Sequence, residues 1–204
     1  MCGAFEQHHK SVVALTRLLD SWPSDAERRL NIRPTMIAGT VDAEGYKARS
    51  WSLIPAWAKE PKLKFSTFNA RAETLTEKAA FRQAWQRSQR CVVPASAYFE
   101  WPVLEGKKQP HRLFRADDAP WLMAGLWENW GQGEERRETF TVITTVVRPD
   151  IDWVHHRMPL MIEEHDLDCW LAGAPEEAET LLSRKPNADI VVQPGDPKMP
   201  PEDD

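Results

Sequence analysis

The sequence predicts an α+β fold in a single domain, built on a mixed or largely antiparallel sheet. Strand-like segments outnumber helical ones, and the two do not alternate one for one, which disfavours a doubly wound parallel sheet. The chain has 204 residues, of which 42% are hydrophobic and 28% charged, enough apolar mass for one real core. Two polar stretches, 104–110 and 131–137, read as turns and not as linkers, so nothing divides the chain.

Residues 11–22 carry Val12, Leu15, Leu18, Leu19 and Trp22 at helical spacing, with Ser11 placed to cap. A second helix is predicted over 74–88, where Leu75, Ala79, Ala80, Ala84 and Ser88 recur at short steps and Phe81 and Trp85 form an i,i+4 pair. Two short helices follow at 166–172 and 175–183, with Asp166 as a cap and Pro175 in a first turn. Strands are predicted at 91–93, 98–101, 121–127, 140–146, 158–162 and 190–192. The stretch 194–204 is rich in Pro and acid and reads as a disordered tail after a domain of 1–193.

Several function classes are disfavoured by composition. No apolar run of about 18 residues is present, and the first ten residues have neither a basic start nor an apolar core, so neither a membrane span nor a secretory signal is read. The expected location is the cytoplasm, or the nucleoplasm in a eukaryote. Three widely spaced cysteines, at 2, 91 and 169, exclude a disulfide framework and argue against a cysteine-rich zinc site. The histidines of His8-His9 and His155-His156 are adjacent rather than i,i+4, so no metal is expected, and no nucleotide-binding glycine loop occurs. A net charge of −5 counts against a broad nucleic-acid surface but leaves room for a local basic groove. Ten tryptophans fit either core packing or a surface that stacks flat ligands.

Four places carry chemistry-bearing residues. Cys2 follows Met1, and removal of Met1 leaves an α-amine and a thiol on adjacent carbons. Such a 1,2-aminothiol condenses with an aldehyde to an imine and then closes a thiazolidine ring. Its groups titrate at about 8 and 8.5, so both are reactive near neutrality. By position alone Cys2 also reads as incidental. The stretch 66–73 offers Asn69, which both donates and accepts, and Arg71, suited to a phosphate or carboxylate; an ordinary helix entry is the competing reading. Glu100 lies between Phe99 and Trp101, where burial raises a carboxyl toward acid–base use, unless it points out of a strand. Finally His155, His156 and Arg157 precede a strand, and histidine is the side chain suited to moving protons near pH 7.

Taken in order, Met-Cys-Gly at the start, Trp-x-Leu-Ile-Pro-x-Trp at 51–57, Asn-Ala-Arg-Ala-Glu at 69–73, Phe-Glu-Trp at 99–101 and His-x-Arg-Met-Pro at 155–159 resemble the SOS-response-associated peptidase (SRAP) family. The resemblance runs from residue 1 to about 193. It implies a compact domain with a curved β core flanked by short helices and a positive cleft for DNA. It implies binding of single-stranded DNA and of single-strand/double-strand junctions, and capture of abasic sites as a thiazolidine crosslink to the N-terminal cysteine. Carried over by motif, Cys2 crosslinks, Asn69 positions the sugar or the Cys2 backbone, Glu100 handles protons, and His155 is the motif histidine. Arg71 and Arg157 would hold phosphates, Trp101 would contact DNA, and Thr144 would reach the opened sugar. No cofactor is implied, the partner is abasic single-stranded DNA, and a monomer is expected. Ala4 departs from the family, which usually has Arg there; phosphate anchoring is then either weaker or taken over by another basic residue. A cysteine peptidase, including self-removal of Met1, and a non-covalent single-strand binder are the alternatives.

Overall fold

In the structure, a computed structural model, residues 2–7 and 29–199 are described. The helix predicted over 11–22, the pair His8-His9 and the last tail residues, 200–204, lie outside the described residues. The protein is mostly β-sheet with a few short helices, in one compact domain. Five strands close on themselves: β3 (Ile37–Asp42), β4 (Gly45–Trp51), β6 (Arg90–Ala95), β11 (Trp121–Trp130) and β12 (Arg137–Val146), in the ring β11–β6–β3–β4–β12–β11. All contacts round the ring are antiparallel except the parallel β4–β12 pair, and closure leaves these strands without a free edge. Backbones come close where Gly125 lies in β11. A Cβ there would meet the Cys91 sulfur and the Thr141 carbonyl oxygen at 2.9 Å each.

Strand β12 does more than close the ring. Its ten residues pair with β11 over 137–142 and with β13 (Arg157–Pro159) over 144–146. They also pair in parallel with β4 at 139–140 and with β5 (Asn69–Arg71) at 142–144. Overlapping partners must lie on opposite edges, so β11 and β13 flank one edge and β4 and β5 the other. The motif segments around 69–71 and 155–159, distant in sequence, thereby meet across one strand.

A second, antiparallel sheet is built from β1 (Ala4–Gln7), β2 (Arg29–Ile32), β7 (Ala97–Glu100), β10 (His111–Arg115) and β14 (Ile190–Pro194), in the order β14–β10–β7–β1–β2. Register places Phe5, Tyr98, Leu113 and Val192 side by side, and this row joins the core containing Trp51, Trp121 and Phe140. Phe5 meets Trp51 edge-on at 4.9 Å. Only Ser96 separates β6 from β7, so the chain steps directly from ring to sheet. Gln7 fastens the junction: its amide donates to the Gly39 and Pro94 carbonyls at 2.8 Å each and accepts the Gly39 N–H at 2.9 Å. A small hairpin, β8 (Val103–Leu104) with β9 (Lys107–Lys108), occupies the predicted turn at 104–110.

The helices are short: α1 (Arg82–Gln86), α2 (Leu167–Ala172) and α3 (Pro175–Glu179), the last continued by a 3₁₀ turn through Ser183. They bury Trp85, Trp170, Leu171 and Leu182 against a second core. Buried Arg90 donates to the carbonyls of Trp170 and Gly173, neutralising the end of α2. The helix predicted over 74–88 shrinks to 82–86. Residues before it form linked turns, and the Ala79 carbonyl accepts the Trp57 indole N–H at 3.0 Å. Asp166 does stand at the start of α2, but its carboxylate accepts from Arg184 and caps no backbone amide. No helix among the described residues is long and apolar enough to cross a membrane.

Candidate functional site around Cys2

Cys2 stands two residues before β1 and is fully buried. Its thiol donates to the Ala4 carbonyl at 3.6 Å. Burial, reinforced by the negative Glu100, pushes the thiol well above its ordinary pKa. Asn69 opens β5, and its side-chain N–H donates to the Cys2 carbonyl at 2.8 Å. The other end of that amide, Oδ1, is buried and takes no hydrogen bond among the described residues. Glu100 ends β7, only 4% exposed, and burial raises its carboxyl to about 7 while the positive chain terminus pulls the other way. At neutral pH it is poised between acid and base.

His155 comes from the loop that leads into β13. Its Nδ1 lies 3.0 Å from the Arg157 backbone N–H and 3.2 Å from the Arg157 carbonyl, and its ring stacks on His156 at 4.2 Å. Burial lowers it to about 4, so the imidazole is neutral at pH 7. The positive chain terminus acts on Cys2, Glu100 and His155 alike.

Arg157 and Thr144 are placed differently from the expectation of direct contact with DNA. The Arg157 guanidinium is buried and committed: it donates to both Glu73 carboxylate oxygens, at 3.2 and 2.8 Å, and to the Thr144 hydroxyl and carbonyl, at 3.2 and 2.6 Å. Thr144 is fully buried, and its hydroxyl donates to the Ala70 carbonyl at 3.3 Å. Burial works against the Glu73 charge, yet the hydrogen bonds and charge of Arg157 hold its carboxyl below the ordinary value. This network ties β13 to β5, and so His155 to Asn69, through β12. Arg157→Ala is expected to destabilise the fold by about 3 kcal/mol, because it empties a buried site and strips two Thr144 acceptors of their donor. Glu73→Ala should cost only about 1 kcal/mol, since the Glu73 side chain is 44% exposed. Urea denaturation of the two variants measures the difference; equal small losses would mean that Arg157 is not a structural brace.

Arg71 is exposed on β5, and Trp101, half-buried, follows Glu100. Two residues near the site escaped the motif reading. Tyr98 shares a face with Glu100 by strand alternation, and burial, with the charges of Cys2 and Glu100, pushes its phenol well up. Arg33 lies with its guanidinium 5.1 Å from the centre of the Trp101 ring. The alternation of 98–101 was the available signal for Tyr98; nothing local marks Arg33.

Fold and site together define a class of protein: a closed β domain that keeps its second residue, a cysteine, locked beside an amide and a carboxyl. The chain belongs to the SOS response associated peptidase (SRAP) family, whose model matches residues 1–198. It is 36% identical over 159 residues to the abasic site processing protein YoqW of Bacillus subtilis, covering 75% of this chain and 70% of that one. It is 34% identical over 199 residues to the abasic site processing protein YoaM of the same organism, covering 89% and 85%. A crystal structure of a Bordetella bronchiseptica protein shares the fold with a TM-score of 0.82 at 24% identity, over 96% of this chain and all of that one.

Proposed function

We propose that this protein processes abasic sites in single-stranded DNA, capturing the ring-opened sugar covalently on Cys2 after Met1 is removed. The observation that carries the reading is the buried cluster at residue 2, where Asn69 holds the Cys2 carbonyl and Glu100 sits buried at a pKa of about 7. The α-amine adds to the sugar aldehyde, Glu100 takes the ammonium proton and returns one to the departing hydroxyl, and water leaves to give the imine. The Cys2 sulfur then bonds to the imine carbon while its proton passes to nitrogen, closing the thiazolidine. No cofactor enters. Asn69 fixes the main chain of Cys2, and neutral His155 faces the sugar chemistry.

Charge distribution supports a polyanionic substrate. Residues 57–87 carry seven Lys and Arg against three Glu, a net +4 in a chain of net −5. All seven cations, Lys59, Lys62, Lys64, Arg71, Lys78, Arg82 and Arg87, are exposed. A groove of about 550 Å³, lined by Trp57, Ala79, Arg82, Gln83 and Gln86, lies in this stretch, with the exposed Trp57 ring offering a stacking surface. Burial holds the Cys2 thiol protonated, contrary to the expectation of a thiol reactive near neutrality, so in either chemistry, thiazolidine closure or peptidase attack, the sulfur must lose its proton as it bonds to carbon.

Mixing the processed protein with a single-stranded oligonucleotide that carries one abasic site is expected to give a shifted band on a denaturing gel, and intact DNA of the same sequence none. Absence of the shifted band from correctly processed protein would defeat the reading.

A further inference from the structure

Building on the abasic-DNA reading, we propose that Arg33 and Trp101 form a phosphodiester subsite at the end of the sheet that carries Cys2. Sheet register places the parts. The last paired residues of β1 and β2 at this end are Phe5 and Ile32, so Ala4 and Arg33 come next on the two strands. On its other side Ala4 pairs with Phe99, and Trp101 lies two residues further along on the same face. Arg33, Ala4 and Trp101 thus lie across one end of one face. The Ala4 methyl, fully buried, occupies the middle, and it is small enough for the Arg33 guanidinium to pass over it to the Trp101 ring.

The guanidinium is held but not neutralised. Its Nε donates to Asn31 Oδ1 at 2.6 Å, while its terminal nitrogens make no hydrogen bond or ion pair with a described residue. By contrast Arg112, which stacks on Phe114, and Arg157, which braces the site, are each paired with a glutamate. The backbone on either side of Arg33 is fixed at some cost. Asn31 has φ 55° and Thr35 φ 77°, and for a β-branched residue the left-handed region is an outlier. The turn is tied by the Met36 N–H to the Arg33 carbonyl at 3.0 Å and by the Thr35 N–H to the Trp51 carbonyl at 2.5 Å. A rigidly mounted arginine, set over an indole with both terminal nitrogens unbonded among the described residues, is arranged for bidentate contact with a phosphate. Because Ala4 is only two residues from Cys2, that phosphate lies near the captured sugar.

The experiment compares processed wild-type protein with Arg33→Gln, Arg33→Ala and Arg33→Lys. Binding of an undamaged single-stranded oligonucleotide is measured by fluorescence anisotropy across a salt series, and crosslinking to the abasic oligonucleotide at subsaturating protein. The neutral variants are expected to bind several-fold more weakly, with a log–log salt slope shallower by about 0.7, the share of one phosphate contact. Arg33→Lys should keep the slope and lose part of the affinity, since an ammonium cannot grip bidentately. Below saturation, crosslinking of the abasic oligonucleotide should slow in the neutral variants in step with their weaker binding. A folded Gln or Ala variant with wild-type affinity and slope overturns the subsite and leaves a purely structural cation–π pair. The two readings fail separately: wild-type protein that binds the strand but never crosslinks defeats the abasic-site chemistry, whereas normal crosslinking with an unchanged slope in a neutral variant defeats Arg33 alone.

Discussion

Any residue left in front of Cys2 is expected to abolish the covalent adduct with abasic DNA while non-covalent binding to undamaged single strands persists. The reason is chemical. Extension converts the α-amine of Cys2 into an amide nitrogen, which does not attack an aldehyde, yet leaves the thiol in place. Uncleaved Met1 and an N-terminal tag should therefore be equally inactive. The buried setting of Cys2 adds a second effect, because an extension has little room beside a fully buried residue and will crowd its surroundings. Some loss of affinity is expected on that account, but not the total loss foreseen for the adduct. The control is processed Cys2→Ser, which retains the amine: borohydride should trap its imine, but no durable adduct should survive without reductant. Mass spectrometry of the crosslinked fraction should show only chains that have lost Met1. Tagged protein that crosslinks like the processed form would mean that the thiol suffices, and the thiazolidine route would have to yield to a simple thiol nucleophile.

Strands with continuous apolar runs were legible in the sequence, as at 91–93 and 121–127, because burial on both faces leaves a plain signature. The hairpin of β3 and β4 was not, because it turns polar residues inward. Arg49 is buried with Asp42 as ion partner and Thr40 as acceptor at 2.7 Å, so inward positions do not read as apolar. Strand β5 has three residues, too few for any periodicity, and its partner β12 is some 70 residues away. The helix expected over 74–88 exceeds the observed one because Leu75, Phe81 and Trp85 do all face the core, but from turns as well as from α1. Within the site, Cys2, Asn69, Glu100 and His155 were marked by motif, whereas the approach of the Asn69 and His155 segments depends on β12 having two occupied edges, which no local window contains. The partner of Arg157, Glu73, is 84 residues away, so a motif arginine read as open for phosphate is in fact occupied. Arg33 becomes visible only once register sets it opposite the space above Ala4.

Replacing Glu100 by Gln is expected to slow adduct formation and at the same time to stabilise the protein at alkaline pH. Proton transfer by a positioned carboxyl typically contributes about a hundredfold or more, and Gln removes it without changing shape. The wild-type rate should bend near pH 7, where the carboxyl titrates, and the bend should be absent in the variant. The stability change follows from linkage. The ordinary value is 4.5 and the folded value about 7, so the folded state binds this proton more tightly than the unfolded chain. The group's favourable contribution is therefore complete below about 4.5 and is lost as pH rises through 7; the difference corresponds to about 3 kcal/mol. A glutamine side chain, always neutral, escapes that loss, so the variant should match wild type near pH 4 and exceed it by up to about 3 kcal/mol at pH 8. His155 works in the opposite sense. Burial holds it at about 4, below its ordinary 6.5, so its contribution is present above 6.5 and is lost as pH falls toward 4. Between about 4.5 and 6.5 the two slopes oppose each other in wild type, and Glu100→Gln should expose the acid-side decline due to His155. Urea titrations at a series of pH values, paired with crosslinking rates, read both effects. A variant no more stable than wild type at pH 8 would mean that the carboxyl is not held near 7, and an unchanged rate would remove Glu100 from the proton-transfer role. A slower and more stable protein is the combined signature of a carboxyl kept in the core for chemistry at the expense of stability.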